Sequence, residues 1–386
     1  MDSSDILNSI LSPSLTEATI KTTNRPERQR TLSAGYLINS NANFYDIPTS
    51  DAFNDLLERY IPLQNNRPQR NVEDNLKNPE LMVMKNMWRS VAKYARQHII
   101  QSDPSDLKSI LELWHMRLLA LTKLGLYQLA TAELEKLGDL NRPELRDPVT
   151  KESMVPFALW ILWARLPSFL KYPNVTLERL TMLAAKCKRM QQRDPVWERR
   201  EIQTYLVIAS HWIAIQNYSA AVSTMENVLK KRPDQVDVLS GLGRLYLQMG
   251  DVGSATSMFE RIEQLIKQDE AVIINKALTS MAKGEWSQAR DLLEQVHQSN
   301  KDNLLVMNNL AVCEIYLGNL VKAIEILETL TMKNPTSAGI CESIVMNLCT
   351  LYELRYEDST EKKVEIMKQV ATWAGDSFQP ECFKLQ

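Results

Sequence analysis

The sequence carries few of the features that mark chemistry. Its five cysteines, Cys187, Cys313, Cys341, Cys349 and Cys382, are odd in number, show no Cys-x-x-Cys spacing and mostly fall in apolar stretches, so they are expected to be reduced and buried in a cytosolic protein. The four histidines, His98, His115, His211 and His297, are scattered, and none shows a ligand spacing such as His-Glu-x-x-His, so no metal site is expected. No sign of charge dominates. With 45 Lys and Arg against 47 Asp and Glu the net charge is -2, which removes the usual reason to expect nucleic acid or an acidic membrane as main partner. Residues Met1 to Ser14 lack the basic run and apolar stretch of a secretory signal. The longest apolar run, Val155 to Ala164, reaches about half the length needed to span a bilayer and ends at Arg165, which reads as a core helix. There is no Gly-x-Ser-x-Gly elbow, no phosphate-binding loop and no Cys/His arrangement. Gly241-Leu-Gly243 resembles the start of a dinucleotide fingerprint, but no strand precedes it. Neither a catalytic group nor a cofactor is expected.

What the sequence does contain is a repeat. Gly250, Gly284 and Gly318 recur every 34 residues, the tetratricopeptide period, and the rest of the unit follows in register. Tyr205/Leu239/Ile273/Met307, Ile208/Leu242/Lys276/Leu310 and the small set Ala209/Gly243/Ala277/Ala311 align in a first helix, with Lys276 breaking the apolar pattern. Ala221/Ala255/Ala289/Ala323 and Met225/Phe259/Leu293/Leu327 align in a second. Small residues let two helix backbones approach while the large ones fill the grooves beside them. The glycines suit left-handed caps, and Pro233 and Pro335 close the first and last units. One such pair cannot bury its apolar face, so the units must stack into an all-α solenoid, a right-handed superhelix of antiparallel helix pairs. Gly243, at the small-residue position, should not tolerate a larger side chain.

Residues 1–77, rich in Ser, Thr, Asn and Pro, are expected to be mostly disordered and to contribute little to the core. Arg28-Gln-Arg-Thr31 and Arg30-Thr-Leu-Ser33 have the basic spacing that kinases read, the plainer alternative being a solvated tail. A short helix over about 52–60, capped by Ser50 or Asp51, carries Phe53, Leu56, Leu57 and Tyr60 on one face and could dock on the solenoid or on a partner. The solenoid is expected over 78–386. Within it a repeat at 111–137 includes Gly125, an irregular pair follows at about 139–201, regular repeats fill 202–335, and a capping pair closes 336–386. From the start of the 111 unit to Ile202 is 91 residues, not a multiple of 34, so something irregular intervenes. Helices are predicted there at 155–170 and 176–190, and in the last pair at 337–354 and 360–374.

A solenoid offers a concave face built from its first helices. The candidate exposed residues on it are Asp237, Ser240, Arg244 and Gln248 in one unit and Leu305, Asn308, Val312 and Ile315 in another; the alternative is that they are solvated or touch neighbouring units. They do not reproduce the Lys/Asn/Arg pattern with which chaperone-binding repeats hold a C-terminal carboxylate. A co-chaperone, or an adaptor of some other multiprotein complex, is the competing reading.

Particular stretches carry a resemblance beyond the period. Leu113-Trp-His-Met-Arg-Leu, Thr122-Lys-Leu-Gly-Leu-Tyr, Ser153-Met-Val-Pro-Phe, Leu239-Ser-Gly-Leu-Gly-Arg, Asn308-Asn-Leu-Ala-Val-Cys, Asn347-Leu-Cys-Thr-Leu-Tyr and the closing Gly375-Asp-Ser-Phe resemble the tetratricopeptide subunit (subunit twelve) of the trafficking protein particle (TRAPP) complex, from about Leu111 onward. The resemblance implies a non-catalytic scaffold in a tethering complex that acts between endoplasmic reticulum and Golgi and in autophagy. Its partners would be other TRAPP subunits and, indirectly, a Rab GTPase, whose nucleotide exchange is promoted by subunits of a different fold. It would lie in the cytoplasm, peripheral to those membranes and without a span of its own. Residues 1–77 have no match in the family, so no function of its leader carries over.

Overall fold

A computed structural model describes residues 35–48, 51–61, 78–191, 194–267 and 269–385. The segment carrying Thr31 and Ser33 lies outside them. The architecture is an all-α solenoid; the described residues add only an isolated antiparallel bridge between Arg146 and Ser153. In chain order the helices are α1 (Ala52–Tyr60), α2 (Pro79–Met84), α3 (Trp88–Gln101), α4 (Leu107–Lys123), α5 (Tyr127–Leu137), α6 (Phe157–Phe169), α7 (Pro173–Met190), α8 (Val196–Ala214), α9 (Tyr218–Lys231), α10 (Val236–Gln248), α11 (Val252–Leu265), α12 (Glu270–Lys283), α13 (Trp286–Ser299), α14 (Leu304–Tyr316), α15 (Leu320–Lys333), α16 (Glu342–Arg355) and α17 (Thr360–Trp373).

One backbone device builds every hairpin except the last, α16 to α17, whose connection has no residue of positive φ. Asn86, Gly125, Lys171, Gln216, Gly250, Gly284 and Gly318 all have positive φ, between 53° and 85°, and the second helix of each pair starts two residues later. In every case the following residue donates its N–H to the carbonyl five positions back, at 2.8–2.9 Å, as in Asn217 to Trp212, Asp251 to Tyr246 and Asn319 to Glu314. This bond and its shorter companion satisfy carbonyls left open at the end of the first helix and reverse the chain. The caps also account for the irregular interval: Lys171 stands 46 residues after Gly125 and 45 before Gln216, so two lengthened units share the 91 residues.

Boundaries shift where local chemistry competes with periodicity. Pro173 is the first residue of α7 rather than part of the preceding gap, because its missing N–H falls where no helical acceptor exists. α16 begins at Glu342 and not 337. Residues before it form turns in which a Cβ on Gly339 would lie 2.6 Å from the Pro335 carbonyl oxygen. Lys276 is exposed and pairs with Glu263 of the preceding unit at 2.7 Å.

Within units, size at one position answers size at another. Met225, Phe259, Leu293 and Leu327 each stand sixteen residues after Ala209, Gly243, Ala277 and Ala311, and each alanine shares a cluster with its partner; the smallest residue meets the largest, and a Cβ on Gly243 would lie 2.5 Å from Phe259 Cε1. Between units, the second helix's first residue meets the next first helix near its end. Tyr127 stacks on Phe169 and Trp286 on Tyr316, at 4.7 and 3.9 Å between ring centres.

Parts of 1–77 belong to the core, which corrects the expectation that they contribute little. Ile38 and Phe44 are buried; the Phe44 ring lies 4.8 Å from that of Trp114, and the Trp114 indole donates to the Ile38 carbonyl at 3.0 Å. α1, capped by Asp51 on the Asn54 amide at 2.8 Å, buries Phe53 and Leu57 and sets the Phe53 ring 5.1 and 5.8 Å from Phe378 and Phe383. The two ends of the solenoid meet. The Asp376 amide donates to the Asn86 carbonyl at 2.9 Å, and the Asp376 carboxylate accepts from the Arg89 amide at 2.9 Å. α3 has no side-chain cap from its own N-cap residue, Met87, so Asp376 supplies one from 287 residues away. Gly375 is required beside it because a Cβ there would lie 2.3 Å from Asn86 Cβ.

Candidate interaction surface

The eight candidate residues lie on α10 and α14, first helices two units apart. Only Asp237 and Gln248 are exposed; Ser240, Arg244, Leu305, Asn308, Val312 and Ile315 are half-buried, which corrects the expectation of exposure. The reason is stacking, since part of each first-helix face touches the neighbouring unit. Leu305 packs in the cluster that spans α12, α13 and α14, and Ile315 packs on the C-terminal cluster. The Asn308 side-chain oxygen accepts from the Asn347 amide of α16 at 2.8 Å, and Gln248 donates to the Tyr218 hydroxyl at 3.4 Å. Burial lowers the pKa of Arg244, a guanidinium held in poorly hydrated surroundings.

Buried ionic anchors are the polar residues that sequence reasoning missed. Arg117 and Glu133 form a two-point pair at 2.6 and 3.0 Å, with both side chains almost fully buried, and Arg117 also donates to the Ala92 and Tyr45 carbonyls at 3.1 and 2.8 Å. The signal was available, because Arg117 stands 91 residues before Ile208, on a register that is otherwise apolar except at Lys276. Burial raises the Glu314 pKa, but Lys322 at 2.6 Å and Asn319 at 2.7 Å outweigh it and the net shift is downward. Lys363 joins Glu353 at 2.6 Å across the last pair. These groups tie one helix to the next.

Reactive groups are muted. Burial pushes the Cys313 thiol up to about 11 and Cys349 to about 12, and holds Cys382 protonated as well. Burial lowers His115 to about 4, so its imidazole is neutral at physiological pH. Among the described residues no group of three or more His, Cys, Asp or Glu is gathered to hold a metal, and no helix is long and apolar enough to cross a membrane.

Residues 213–273 and 280–339 match the tetratricopeptide repeat family model. The repeat caps and the family match agree on the fold. The chain is a tetratricopeptide-repeat solenoid. Two curated relatives are similar to it: trafficking protein particle complex subunit 12 of Homo sapiens, 27% identical over 328 residues, covering 76% of this chain and 44% of the relative, and that of Mus musculus, 27% identical over 311 residues, covering 71% and 39%. The solenoid thus spans less than half the length of the relatives it matches. Among solved structures, a tetratricopeptide repeat protein from Parabacteroides merdae aligns over 73% of this chain and 98% of its own, at 13% identity and a TM-score of 0.40.

Proposed function

We propose that this solenoid is a non-catalytic scaffold subunit of a TRAPP-type tethering complex. It would be held among other subunits and would support Rab nucleotide exchange that those subunits carry out, in transport between endoplasmic reticulum and Golgi and in autophagy. The observation that carries the reading is the reach of the similarity to subunit 12: 76% of the chain, far more than the two stretches that match the generic repeat model. The interior polar chemistry supports it, because the buried charges brace helix against helix and the buried thiols are protonated. Stable association needs roughly 1,200–2,000 Å² of total buried surface, which several helices of a solenoid can present. In this reading the chain is cytoplasmic and peripheral to membranes, and Asp237, Arg244 and Gln248 are the inner-face residues offered to a partner.

The test is affinity purification of the tagged full chain from its own cells, with nucleotide exchange on a Rab measured for the isolated chain. TRAPP subunits should co-purify, and the isolated chain should not accelerate exchange. Recovery of chaperones in place of TRAPP subunits, or exchange by the chain alone, would refute the reading.

A further inference from the structure

The insertion that lengthens the unit between Gly125 and Lys171 forms one wall of a cavity of about 590 Å³. The lining also includes three aromatic residues, Phe157 and Trp160 from α6 and Trp197 from α8, with Phe157 and Trp197 meeting edge to face at 6.3 Å. Cations stand over these rings. Lys186 Nζ lies 3.7 Å from the centre of Trp160, and the Arg200 guanidinium lies 4.4 Å from Trp197 and 5.2 Å from Phe157. Arg146 borders the cavity from the loop side.

Among the described residues none of these three cations is ion-paired. Arg146 donates to the Asn141 carbonyl at 3.3 Å, Lys186 to the Asn141 side chain at 3.4 Å, and Arg200 rests on its two rings. Four carboxylates also border the space, and two are engaged by their own turns: Asp147 accepts from the Val149 and Thr150 amides, and Asp194 from the Val196 amide, all at 2.8 Å. Glu112 and Glu152 are exposed. Burial, and then the neighbouring Arg146, lower the Lys186 pKa, against a smaller opposing pull from Asp139.

The cations come from a loop, α7 and α8, and no glycine-rich backbone cradle gathers them on one point. That arrangement suits several carboxylates spaced along an extended chain better than a single phosphate. We infer that this cavity docks an acidic peptide segment of a partner protein, with its carboxylates on Arg146, Lys186 and Arg200 and an apolar or aromatic side chain against Phe157, Trp160 and Trp197. No subunit identity enters the inference, so it stands or falls apart from the assignment to a tethering complex.

The test uses the full chain and a fluorescein-labelled Glu-Glu-Tyr-Glu-Glu peptide, with Gln-Gln-Tyr-Gln-Gln as the uncharged control, read by fluorescence anisotropy. The acidic peptide should bind at least about tenfold tighter than its control and weaken as salt rises. Lys186→Gln and Arg200→Gln should each lose about tenfold, whereas Lys301→Gln, in the exposed turn before α14, should leave binding unchanged. Because Arg200 also packs on two rings, far-UV circular dichroism checks its variant. Arg146→Gln, at an exposed residue, replaces it should that variant misfold. Absence of binding to the wild type, or binding indifferent to these substitutions, overturns the inference. So does capture of the chain by phosphatidylserine vesicles without peptide binding, which would make the cavity a membrane contact.

Discussion

Gly243→Ala sets two effects of similar size against each other. Position 243 lies in the interior of α10, where alanine is favoured over glycine by about 1 kcal/mol through helix propensity. Against that, the new Cβ would sit 2.5, 2.9 and 3.0 Å from three carbons of the Phe259 ring, which is itself buried among Met225, Leu242 and Ile262 and has little room to move. Overpacking of this kind costs about 1–3 kcal/mol, so the net change should be a loss of about 0–2 kcal/mol. Phe259→Leu alone opens a gap beside Gly243 and should cost about 1 kcal/mol or more. The double variant reproduces the pairing already present in Ala277 with Leu293 and Ala311 with Leu327, and should return to wild-type stability or exceed it. The coupling between the two sites is then at least about 1 kcal/mol. Equilibrium urea unfolding followed by circular dichroism, with midpoints compared at constant slope, measures it. Single effects that add within about 0.5 kcal/mol would show that Phe259 does not press on position 243. Gly243→Leu tests the same contact harder, with an expected loss near the ~3 kcal/mol upper end.

Gln216 holds a left-handed cap without being glycine, so Gln216→Gly should raise stability by about 0.5–1 kcal/mol, the relief of Cβ strain less the added freedom of the unfolded chain; a lower urea midpoint would contradict this. Glu133→Gln leaves the Arg117 charge buried without its counter-ion and should cost about 3–5 kcal/mol, whereas a thermal midpoint equal to wild type would mean the pair contributes nothing. His115 is held near pKa 4 against an ordinary 6.5, so between those values the unfolded chain binds more protons and stability rises with pH. That contribution is at most about 3 kcal/mol, less because water reaches the half-covered ring, and His115→Gln should flatten the pH dependence of the urea midpoint across this window. Phe53→Ala should cost about 3 kcal/mol by emptying the space against Phe378 and Phe383, and removal of residues 1–77 should likewise lower the melting temperature; a truncated chain as stable as the whole would show that these contacts do not hold.

Most of the solenoid was legible because its information is local and repeated. A glycine every 34 residues, a small residue in each helix and an apolar partner sixteen positions on specify a hairpin from within one unit. The candidate surface was less legible. Spacing placed Leu305, Asn308 and Ile315 on the inner face, but their contacts with neighbouring units depend on how one pair rotates against the next, which no unit encodes alone. The lengthened units hid the cap at Lys171 because lysine carries no sign of a left-handed backbone, and the cations around Trp160 and Trp197 are separated by up to 54 residues, from Arg146 to Arg200.

The sequence by itself determined that this chain is a stack of helix pairs, since each pair leaves an apolar face that only another pair can cover. Only the tertiary structure decided that the stack closes on itself. Gly375 and Asp376 complete the first hairpin at Asn86 and Arg89, and α1 folds Phe53 onto the last aromatic residues. Closure depends on the sum of small rotations between successive units, so the residues that meet there acquire their roles from the geometry of the whole array rather than from any sequence neighbour.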